Sequence, residues 1–316
     1  MKPAIAVLGS LNMDFVVQVE HLPAPGQTVL GREFRMVPGG KGANQACAAG
    51  KLAAGGTAVR MAGRTGYDIF ADQLKASLAA AGVDVSAVSG TRGQSTGVAL
   101  IEVEHSGENS IVVASGANFA LDAGDVPGLR NTFRGTAFAL FQLETPLAAV
   151  RAAMQLARDE GAQSILDPAP AQPLPNDFLS LASILTPNET EALTLLGETA
   201  SGHIASSEAA AAARRLMERG PRAVIIKLGA AGCTYVDGAT QIASPGFSVD
   251  AVDTTAAGDT FNAALAVALA EEQPIARALR FANAAAALSV TRPGAQSSIP
   301  SRHEVDRFLA SASMQL

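Results

Sequence analysis

Short, continuously apolar segments alternate with helical patterns along most of this 316-residue chain. Segments of that kind suit strands that are covered on both faces, as in parallel sheets. The alternation therefore predicts an α/β fold in which helices flank a mainly parallel sheet. The predicted core strands are 4–8, 58–62, 138–143, 164–166, 184–186 and 224–228, and the predicted helices are 43–54, 69–81, 147–160, 207–219, 259–270 and 275–290.

Two segments, 14–36 and 96–114, interrupt the alternation and are predicted to form a small β-sheet. In the second, apolar and charged residues partly alternate over 98–104, a turn follows at 106–109, and 110–114 is apolar on both sides. A small sheet with two apolar faces needs cover on both. One face can close over a ligand while the other packs against a second subunit; alternatively, the sheet packs on its own domain. The predicted domains are a large α/β domain (1–13, 37–95 and 115–316) and a small β-sheet domain (14–36 and 96–114).

The net charge of −6 argues against nucleic acids and anionic membranes as partners. No apolar run reaches the roughly 18 residues that a membrane span requires. The apolar run at the start of the chain is predicted to be a buried strand rather than a signal peptide. Cys47 and Cys233 are predicted to be buried free thiols, which favours a reducing, cytoplasmic location.

The segment 253–262 (DTTAAGDTFN) places small residues, a glycine and then a carboxylate at the start of an alanine-rich helix. The N–H groups of a helix's first turn have no intrahelical partner, and the helix dipole adds partial positive charge, so a phosphate can bind there. Small residues at Ala256, Ala257 and Gly258 let a phosphate approach the backbone closely, and Asp259 then accepts a proton from an attacking hydroxyl. The alternative is a helix N-terminus capped by an acidic residue.

A second glycine-rich segment, 38–46 (PGGKGANQA), also leads into an alanine-rich helix. It is not a Walker A loop, because Lys41 is followed by Gly42 rather than by serine or threonine, and it does not match the dinucleotide-binding G-x-G-x-x-G. It therefore predicts a backbone that a ligand approaches closely, with Asn44 offering both an amide donor and an acceptor.

Together, the two glycine-rich segments resemble the paired signatures of the PfkB family of carbohydrate kinases. The resemblance runs from Ile5 to about Phe308 and is most specific in the order and joint presence of its motifs. Five further segments carry it: 9–14, 115–118, 166–171, 186–192 and 290–296.

The resemblance implies a Rossmann-like α/β domain with a small β-sheet lid, and a homodimer in which the lids of two subunits clasp. Within the family, the chain is most similar to members that use ATP and Mg²⁺ to phosphorylate D-ribose, giving D-ribose 5-phosphate and ADP. In that mechanism Asp259 is the general base, and the turn formed by Ala256, Ala257 and Gly258 is the phosphate cradle.

Sugar-binding residues are expected where strands end, because ligands of open α/β sheets bind at that edge. By matching motifs, the resemblance places the sugar against Asn12, Asp14, Gly40, Lys41, Asn44, Glu144 and Asp259. The alternatives are a turn carboxylate at Asp14, a helix N-terminal charge at Glu144 and a solvated loop cation at Lys41.

For the nucleotide, the resemblance assigns Asn188 and Glu191 to an N-x-x-E motif whose glutamate helps to organise Mg²⁺ and phosphates through water. The alternative is an ordinary helix start with acidic residues in its first turn. The loop that borders ATP corresponds to Lys227, Gly229 and Gly232, with Gly258 beside it and Asn283 next to the adenine. Lys227 stands where members that phosphorylate ribose often carry threonine, and a lysine there can pair with phosphate as a point charge.

A monovalent cation, usually K⁺, binds beside the phosphate cradle in similar members. The matching ligands are the Asp253 carboxylate and the carbonyls of Thr255, Ser289, Arg292 and Gly294, with Ser298 nearby. Oxygen ligands suit a hard cation. The alternative for the segment around Gly294 is simply a turn.

Two other functions stay open at the level of sequence. One is a PfkB kinase for another sugar or for a nucleoside, although Phe15 and Phe34 are the few lid aromatics that could face a base. The other is a catalytically silent sugar- or nucleotide-binding regulator. The intact Gly258-Asp259 pair argues against the regulator, because a binder has no need of a base.

Overall fold

The computed structural model describes residues 3–53, 56–104, 108–199 and 202–313. Two parts of the predictions lie outside the described residues, namely residue 54 of the predicted helix 43–54 and residues 106 and 107 of the predicted turn.

The strands are β1 (Ala4–Leu8), β2 (Asn12–Val19), β3 (Phe34–Gly39), β4 (Ala58–Thr65), β5 (Val83–Gly90), β6 (Gly97–Glu104), β7 (Asn109–Ala114), β8 (Thr136–Phe141), β9 (Gln163–Leu166), β10 (Ile184–Leu185), β11 (Ala223–Lys227), β12 (Cys233–Asp237) and β13 (Gln241–Ser244). The helices are α1 (Lys41–Leu52), α2 (Ile69–Ala80), α3 (Arg130–Phe133), α4 (Leu147–Asp159), α5 (Asn176–Leu179), α6 (Glu189–Leu196), α7 (Ala209–Met217), α8 (Ala257–Ala270), α9 (Ile275–Ser289) and α10 (Arg302–Ser313).

The larger sheet has the strand order β13-β12-β11-β10-β9-β8-β1-β4-β5 in the described part of the chain. Its strands pair in parallel from β5 to β11, and β12 and β13 add an antiparallel edge. All five residues of β1 are buried, as expected for a strand covered on both faces. The predicted α/β fold with a mainly parallel sheet is confirmed.

Helices cover both faces of this sheet, and β1 divides its side chains between the two layers. Ile5 and Val7 pack with the buried residues of α1, α2, α8 and α9. Ala6 and Leu8 point the other way and pack with α4, α6 and α7. This alternation follows from the two-residue period of a strand. Within the described residues, no helix is both long and apolar enough to cross a membrane.

Alanine-rich helices bring two helix N-termini to one end of the sheet. Helix α8 packs between α1 and α9. Small buried residues such as Ala46, Ala263 and Ala266 leave room for close helix packing. As a result, the start of α1 at Lys41 and the start of α8 at Ala257 lie close together at the carboxyl ends of the parallel strands.

The smaller sheet has the order β3-β2-β6-β7, with β2 and β6 parallel and the outer pairs antiparallel. Residues paired across strands share a face. The register therefore gives an outer face with Phe34, Met36, Leu100 and Val112, and an inner face with Asn12, Asp14, Arg35 and Ile111. The domain boundaries given above stay a prediction.

Candidate active site

Four loops of the large sheet converge where its parallel strands end. They follow β1, β8, β9 and β11. The first three carry Ser10, Glu144 and Asp167 respectively, and the fourth begins after Lys227, the last residue of β11. The two helix N-termini described above close the same region. The structure therefore gathers polar residues that are far apart in the sequence at the edge where open α/β sheets bind their ligands.

The first turn of α8 is open to an anion. Its N-cap residue, Ala256, adopts a left-handed backbone (φ 60°), and no side chain caps the turn. Gly258 contributes no side chain to cover the first turn. The N–H of Ala257 donates to the Thr254 carbonyl at 3.2 Å, while the next N–H of the turn, that of Gly258, and the helix dipole favour a negatively charged group at this point.

Asp259 lies in that turn, and its carboxylate is buried and held by two amides. Its Oδ1 accepts a hydrogen bond from Gln45 Nε2 at 3.0 Å, and its Oδ2 accepts one from Asn44 Nδ2 at 3.1 Å. Burial raises the pKa of Asp259 to about 6, while the nearby Lys41 opposes the rise. A carboxyl with that pKa is mostly ionised at neutral pH and is able to accept a proton.

Gln45 links Asp259 to a second buried carboxylate, that of Asp167. The Nε2 of Gln45 also donates to Asp167 Oδ2 at 3.1 Å, and its Oε1 accepts from Gln142 Nε2 at 2.6 Å. Asp167 Oδ1 receives a hydrogen bond from Lys227 Nζ at 2.8 Å. The sequence pattern assigns Asp167 only to the connection after β9, whereas the structure places its carboxylate inside the candidate site.

The residues predicted to bind a sugar lie together beside Asp259. Glu144 accepts hydrogen bonds from Ser10 Oγ at 2.6 Å and from the backbone N–H of Lys41 at 3.1 Å. Burial, Glu144 and Asp259 together raise the pKa of Asp14 to about 7. Burial disfavours charge on Lys41, but Asp259 and Asp167 raise its pKa overall. The site thus holds several mutually repelling carboxylates close to the Lys41 cation.

Two glycines of the segment 38–46, Gly39 and Gly40, are required for steric reasons. A Cβ atom on Gly39 would lie 2.0 Å from Asp14 Oδ2. Gly40 has a positive φ of 88°, and a Cβ there would lie 2.7 Å from the backbone nitrogen of Asn12. Only glycine lets this loop rest against the start of β2.

Two cavities meet at the first turn of α8. One, of about 560 Å³, is lined by Gly229, Gly232, Phe247 and Asn283, among others. The other, of about 580 Å³, is lined by charged and polar residues that include Lys41, Asp167, Asn188, Glu191 and Asp259. Lys227, Ala257 and Gly258 line both. This arrangement suits a ligand with a ring at one end and phosphates at the other.

Asn188 and Glu191 form a capping box at the start of α6. The backbone N–H of Glu191 donates to Asn188 Oδ1, and that of Asn188 donates to Glu191 Oε2, both at 2.8 Å. Burial raises the pKa of Glu191, and the charge of Lys227 opposes this. The helix-start interpretation therefore holds, and the same glutamate also faces the charged cavity.

Asn283 and Gly232, two further residues predicted to contact the nucleotide, pack against the loop after β13. Asn283 Nδ2 donates to the carbonyls of Ser244 and Pro245 at 3.1 and 3.2 Å, which fixes the loop after β13. Gly232 has a φ of 93°, and a Cβ there would lie 2.2 Å from the Ser244 carbonyl oxygen. Both contacts shape the wall of the 560 Å³ cavity.

Asp253 joins the loop before α8 to the loop after α9. Its carboxylate accepts from the N–H groups of Thr255 at 2.9 Å and Gly294 at 2.8 Å. Burial opposes its ionisation, but these hydrogen bonds lower its pKa overall. Of the other predicted cation ligands, Ser289 and Ser298 are buried, and Arg292 pairs with Glu304. No group of three or more histidine, cysteine, aspartate or glutamate side chains suited to a metal occurs among the described residues.

Sequence reasoning missed Gln45, Ser10 and Asp167 as parts of the site. All three lie inside the segments quoted above, but a serine after a strand, a glutamine on a helix and an aspartate before a proline are common. Their roles arise from contacts between residues more than 100 positions apart, such as Gln45 with Asp259.

Residues 2–302 match the model of the pfkB family of carbohydrate kinases. A ribokinase from Haemophilus influenzae is 42% identical over 313 residues, which cover 99% of this chain and 100% of the relative. A deoxyribokinase from Salmonella typhi is 33% identical, with coverage of 97% and 98%. The solved structure of Arabidopsis thaliana ribokinase complexed with ribose and ATP superimposes with a TM-score of 0.88 at 33% identity and covers 98% of this chain and 99% of that one. The chain belongs to the PfkB family of carbohydrate kinases.

Proposed function

We propose that this chain is a ribokinase, which transfers the γ-phosphoryl group of ATP to the 5-hydroxyl of D-ribose and yields D-ribose 5-phosphate and ADP. The observation that carries the proposal is the position of the Asp259 carboxylate at the open first turn of α8. The polar residues predicted to bind a sugar lie beside it, and the two cavities described above meet at the same turn. Its full-length similarity to ribokinases, at 42% identity to the Haemophilus protein, supports ribose as the substrate.

In the proposed mechanism Asp259 orients the 5-hydroxyl and takes its proton late in the reaction. Such transition states are largely dissociative, so positioning and charge stabilisation matter more than a strong base. Asn44 and Gln45 hold the carboxylate in place. The N–H of Ala257 donates to the Thr254 carbonyl at 3.2 Å, so the N–H of Gly258 and the dipole of α8 are proposed to stabilise the charge that develops on the transferred phosphoryl group.

For the sugar, Asn12, Asp14, Asn44 and Glu144 supply the acceptors and donors that hydroxyl groups require, because each hydroxyl both donates and accepts. For ATP, the adenine occupies the 560 Å³ cavity near Asn283, Gly229 and Gly232. The phosphates then extend past Lys227 into the charged cavity.

Mg²⁺ fits the charged cavity, because Asp167 and Glu191 both line it and Mg²⁺ commonly binds through one or two carboxylates plus phosphates and water. When bound, the ion neutralises phosphate charge. A monovalent cation is proposed beside Asp253, with the carbonyls of Thr255, Ser289, Arg292 and Gly294 as oxygen ligands.

A homodimer through the lid is also proposed. The outer face carries Phe34, Met36, Leu100 and Val112, each at least half exposed. A contiguous exposed apolar face of this kind is typical of an interaction surface.

A cytoplasmic location is also proposed. It is supported by Cys47 and Cys233, which are both buried free thiols.

The rival within the family is a kinase for another sugar or a nucleoside, and the deoxyribokinase at 33% identity keeps deoxyribose on the test panel. The rival outside catalysis is a silent sugar- or nucleotide-binding regulator. A coupled ADP-release assay over pentoses, deoxyribose, hexoses and nucleosides separates all three. The proposal predicts the highest kcat/KM with D-ribose. Preference for another acceptor would replace the substrate, and no ADP release with any acceptor would favour the regulator.

A further inference from the structure

Asn118, in the 3₁₀ turn Gly116–Ala120, is 1% exposed and lies against the start of β2. Its Oδ1 accepts a hydrogen bond from the N–H of Leu11 at 2.9 Å. Its Nδ2 donates to the Leu11 carbonyl at 3.1 Å and to Asn12 Oδ1 at 2.7 Å. The side chain thus connects the backbone before β2 to the first residue of the proposed sugar site.

The hydrogen-bond partners determine which way the side-chain amides of Asn118 and Asn12 are turned. A backbone N–H only donates and a backbone carbonyl only accepts, so Leu11 allows Asn118 a single amide orientation. The nitrogen of Asn118 then faces Asn12, which must present its oxygen there. The nitrogen of Asn12 is consequently turned away from Asn118, on the inner face that it shares with Asp14.

The side-chain amide of Asn44 has the opposite orientation to that of Asn12: its nitrogen is bonded within the protein and its oxygen is left without a partner in the described part of the chain. The Asp259 carboxylate only accepts when ionised, so it takes the Nδ2 of Asn44, at 3.1 Å. The Oδ1 of Asn44 is buried and has no hydrogen-bond partner among the described residues. One amide of the site therefore offers a donor, and the other offers an acceptor.

Gly97 leaves just enough room for the pair. A Cβ atom on Gly97 would lie 2.2 Å from Asn12 Oδ1 and 2.3 Å from Asn118 Nδ2. A larger residue at position 97 would therefore displace one of the two amides.

We propose that Asn118 is a positioning residue that locks Asn12 with its amide nitrogen toward the sugar. This rests on the proposed function. A sugar oxygen at Asn12 is then bound as an acceptor and keeps its own proton for a carboxylate such as Asp14. A sugar that lacks an oxygen at this position leaves the Asn12 donor unpaired and binds more weakly.

The test is the near-isosteric substitution Asn118→Asp. The new carboxylate keeps the hydrogen bond from Leu11, but its second oxygen faces Asn12 Oδ1, and the repulsion turns the Asn12 amide around. We expect the KM for ribose to rise about tenfold, with the KM for ATP unchanged and kcat changed by less than about threefold. Asn118→Ala, which frees Asn12 to rotate, should give a smaller rise in the same parameter.

Ser164→Ala is the matched control. It removes another buried side-chain hydrogen bond to a backbone carbonyl, from Ser164 Oγ to Leu181 at 2.6 Å, at the other end of the strands. It should lower the unfolding temperature without changing the KM for ribose. Calorimetric titration of the sugar in the absence of ATP gives a second readout for each folded variant.

An unchanged sugar affinity in both Asn118 variants would overturn the proposal, as would equal rises in the KM for ribose and for ATP. If the wild type prefers another acceptor, the proposed substrate fails. The same comparison is then made with the preferred sugar, and a selective loss of its affinity still supports the positioning role.

Discussion

At the scale of single residues, Asp14 carries a charge that the folded protein opposes. Burial and the carboxylates of Glu144 and Asp259 raise its pKa from 3.8 to about 7. A group whose pKa is raised by folding contributes stability that is fully present below the unfolded pKa and is lost as the pH rises through the folded pKa. The ligand-free enzyme should therefore lose stability between about pH 4 and pH 7 because of this residue.

Asp14→Asn removes that repulsion and should raise the stability of the ligand-free enzyme at pH 8 by about 1–3 kcal/mol. The gain should shrink as the pH falls through about 7, and sugar binding should be lost. Thermal unfolding across this pH range measures it. Asp72→Asn, at an exposed position on α2, is the control and should show no such trend. Lower stability of Asp14→Asn at pH 8 would contradict the account.

Lys227 is a largely buried cation, with a side chain that is 12% exposed, and it lies near the carboxylates of Asp167 and Glu191. Burial disfavours its charge, but Asp167 and Glu191 raise its pKa, so it remains charged. Lys227→Met should raise the KM for ATP at least tenfold and should destabilise the fold by about 3–5 kcal/mol, because Asp167 is left unpaired in the interior.

The double variant Lys227→Met/Asp167→Asn separates these two effects. It should recover much of the lost stability, because the buried charge of Asp167 is removed together with its partner, while the KM for ATP stays high. Chemical unfolding and steady-state kinetics on the same samples measure both quantities. Recovery of ATP affinity in the double variant would mean that Lys227 serves only to neutralise Asp167.

At the scale of elements, the first turn of α8 depends on the left-handed backbone of Ala256. That conformation costs a non-glycine residue about 1–2 kcal/mol. Ala256→Gly relieves the strain but adds freedom to the unfolded chain, so we expect a net change in stability within about 1 kcal/mol and an unchanged kcat. Ala256→Val should lower both stability and kcat, because a β-branched residue fits this region poorly.

Unfolding midpoints and turnover of the two variants test the turn. Ala266→Gly, inside the same helix, is the control, since glycine there should lower stability by about 1 kcal/mol or more. Equal kcat values for Ala256→Gly and Ala256→Val would show that the shape of the turn does not matter for catalysis.

The sequence predicted most elements because their patterns are local. Strand β1 matches its predicted bounds, and β9 and β11 lie within one residue of theirs. The strand predicted at 138–143 ends instead at Phe141, because the N–H of Leu143 leaves the sheet to bond the Ala169 carbonyl. The edge strand β5 was not predicted, since its sequence VDVSAVSG lacks a continuous apolar run.

At the scale of the whole molecule, the glycine-rich segments indicated where the candidate site forms but not which of its side chains are hydrogen-bonded to each other. Asp259 and Asn44 were predicted, and they are hydrogen-bonded in the structure. The links through Gln45 and Asn118 depend on long-range packing of α1, α8 and β2, which a single sequence does not encode in any local pattern.

The outer face of the lid predicts a dimer of the 32.1 kDa chain. Leu100, near its centre, is 54% exposed and pairs in register with Phe15 and Val112. Leu100→Asp should shift the protein to a monomer, because a desolvated carboxylate opposes association. Leu100→Met keeps the face apolar and should stay dimeric. Sedimentation equilibrium distinguishes the two, and a dimer that survives Leu100→Asp would exclude this face as the interface.

The most direct measurement follows the phosphorus of ATP by ³¹P NMR in the presence of D-ribose, for the wild type and for Asp259→Asn. With the wild type, we expect a phosphomonoester on the 5-position of ribose, formed in step with ADP. Asp259→Asn should slow its appearance by about 10²–10⁴-fold while ribose affinity changes little. A ribose phosphate formed at the wild-type rate by Asp259→Asn, or ATP consumed by the wild type without any sugar phosphate, would contradict the account.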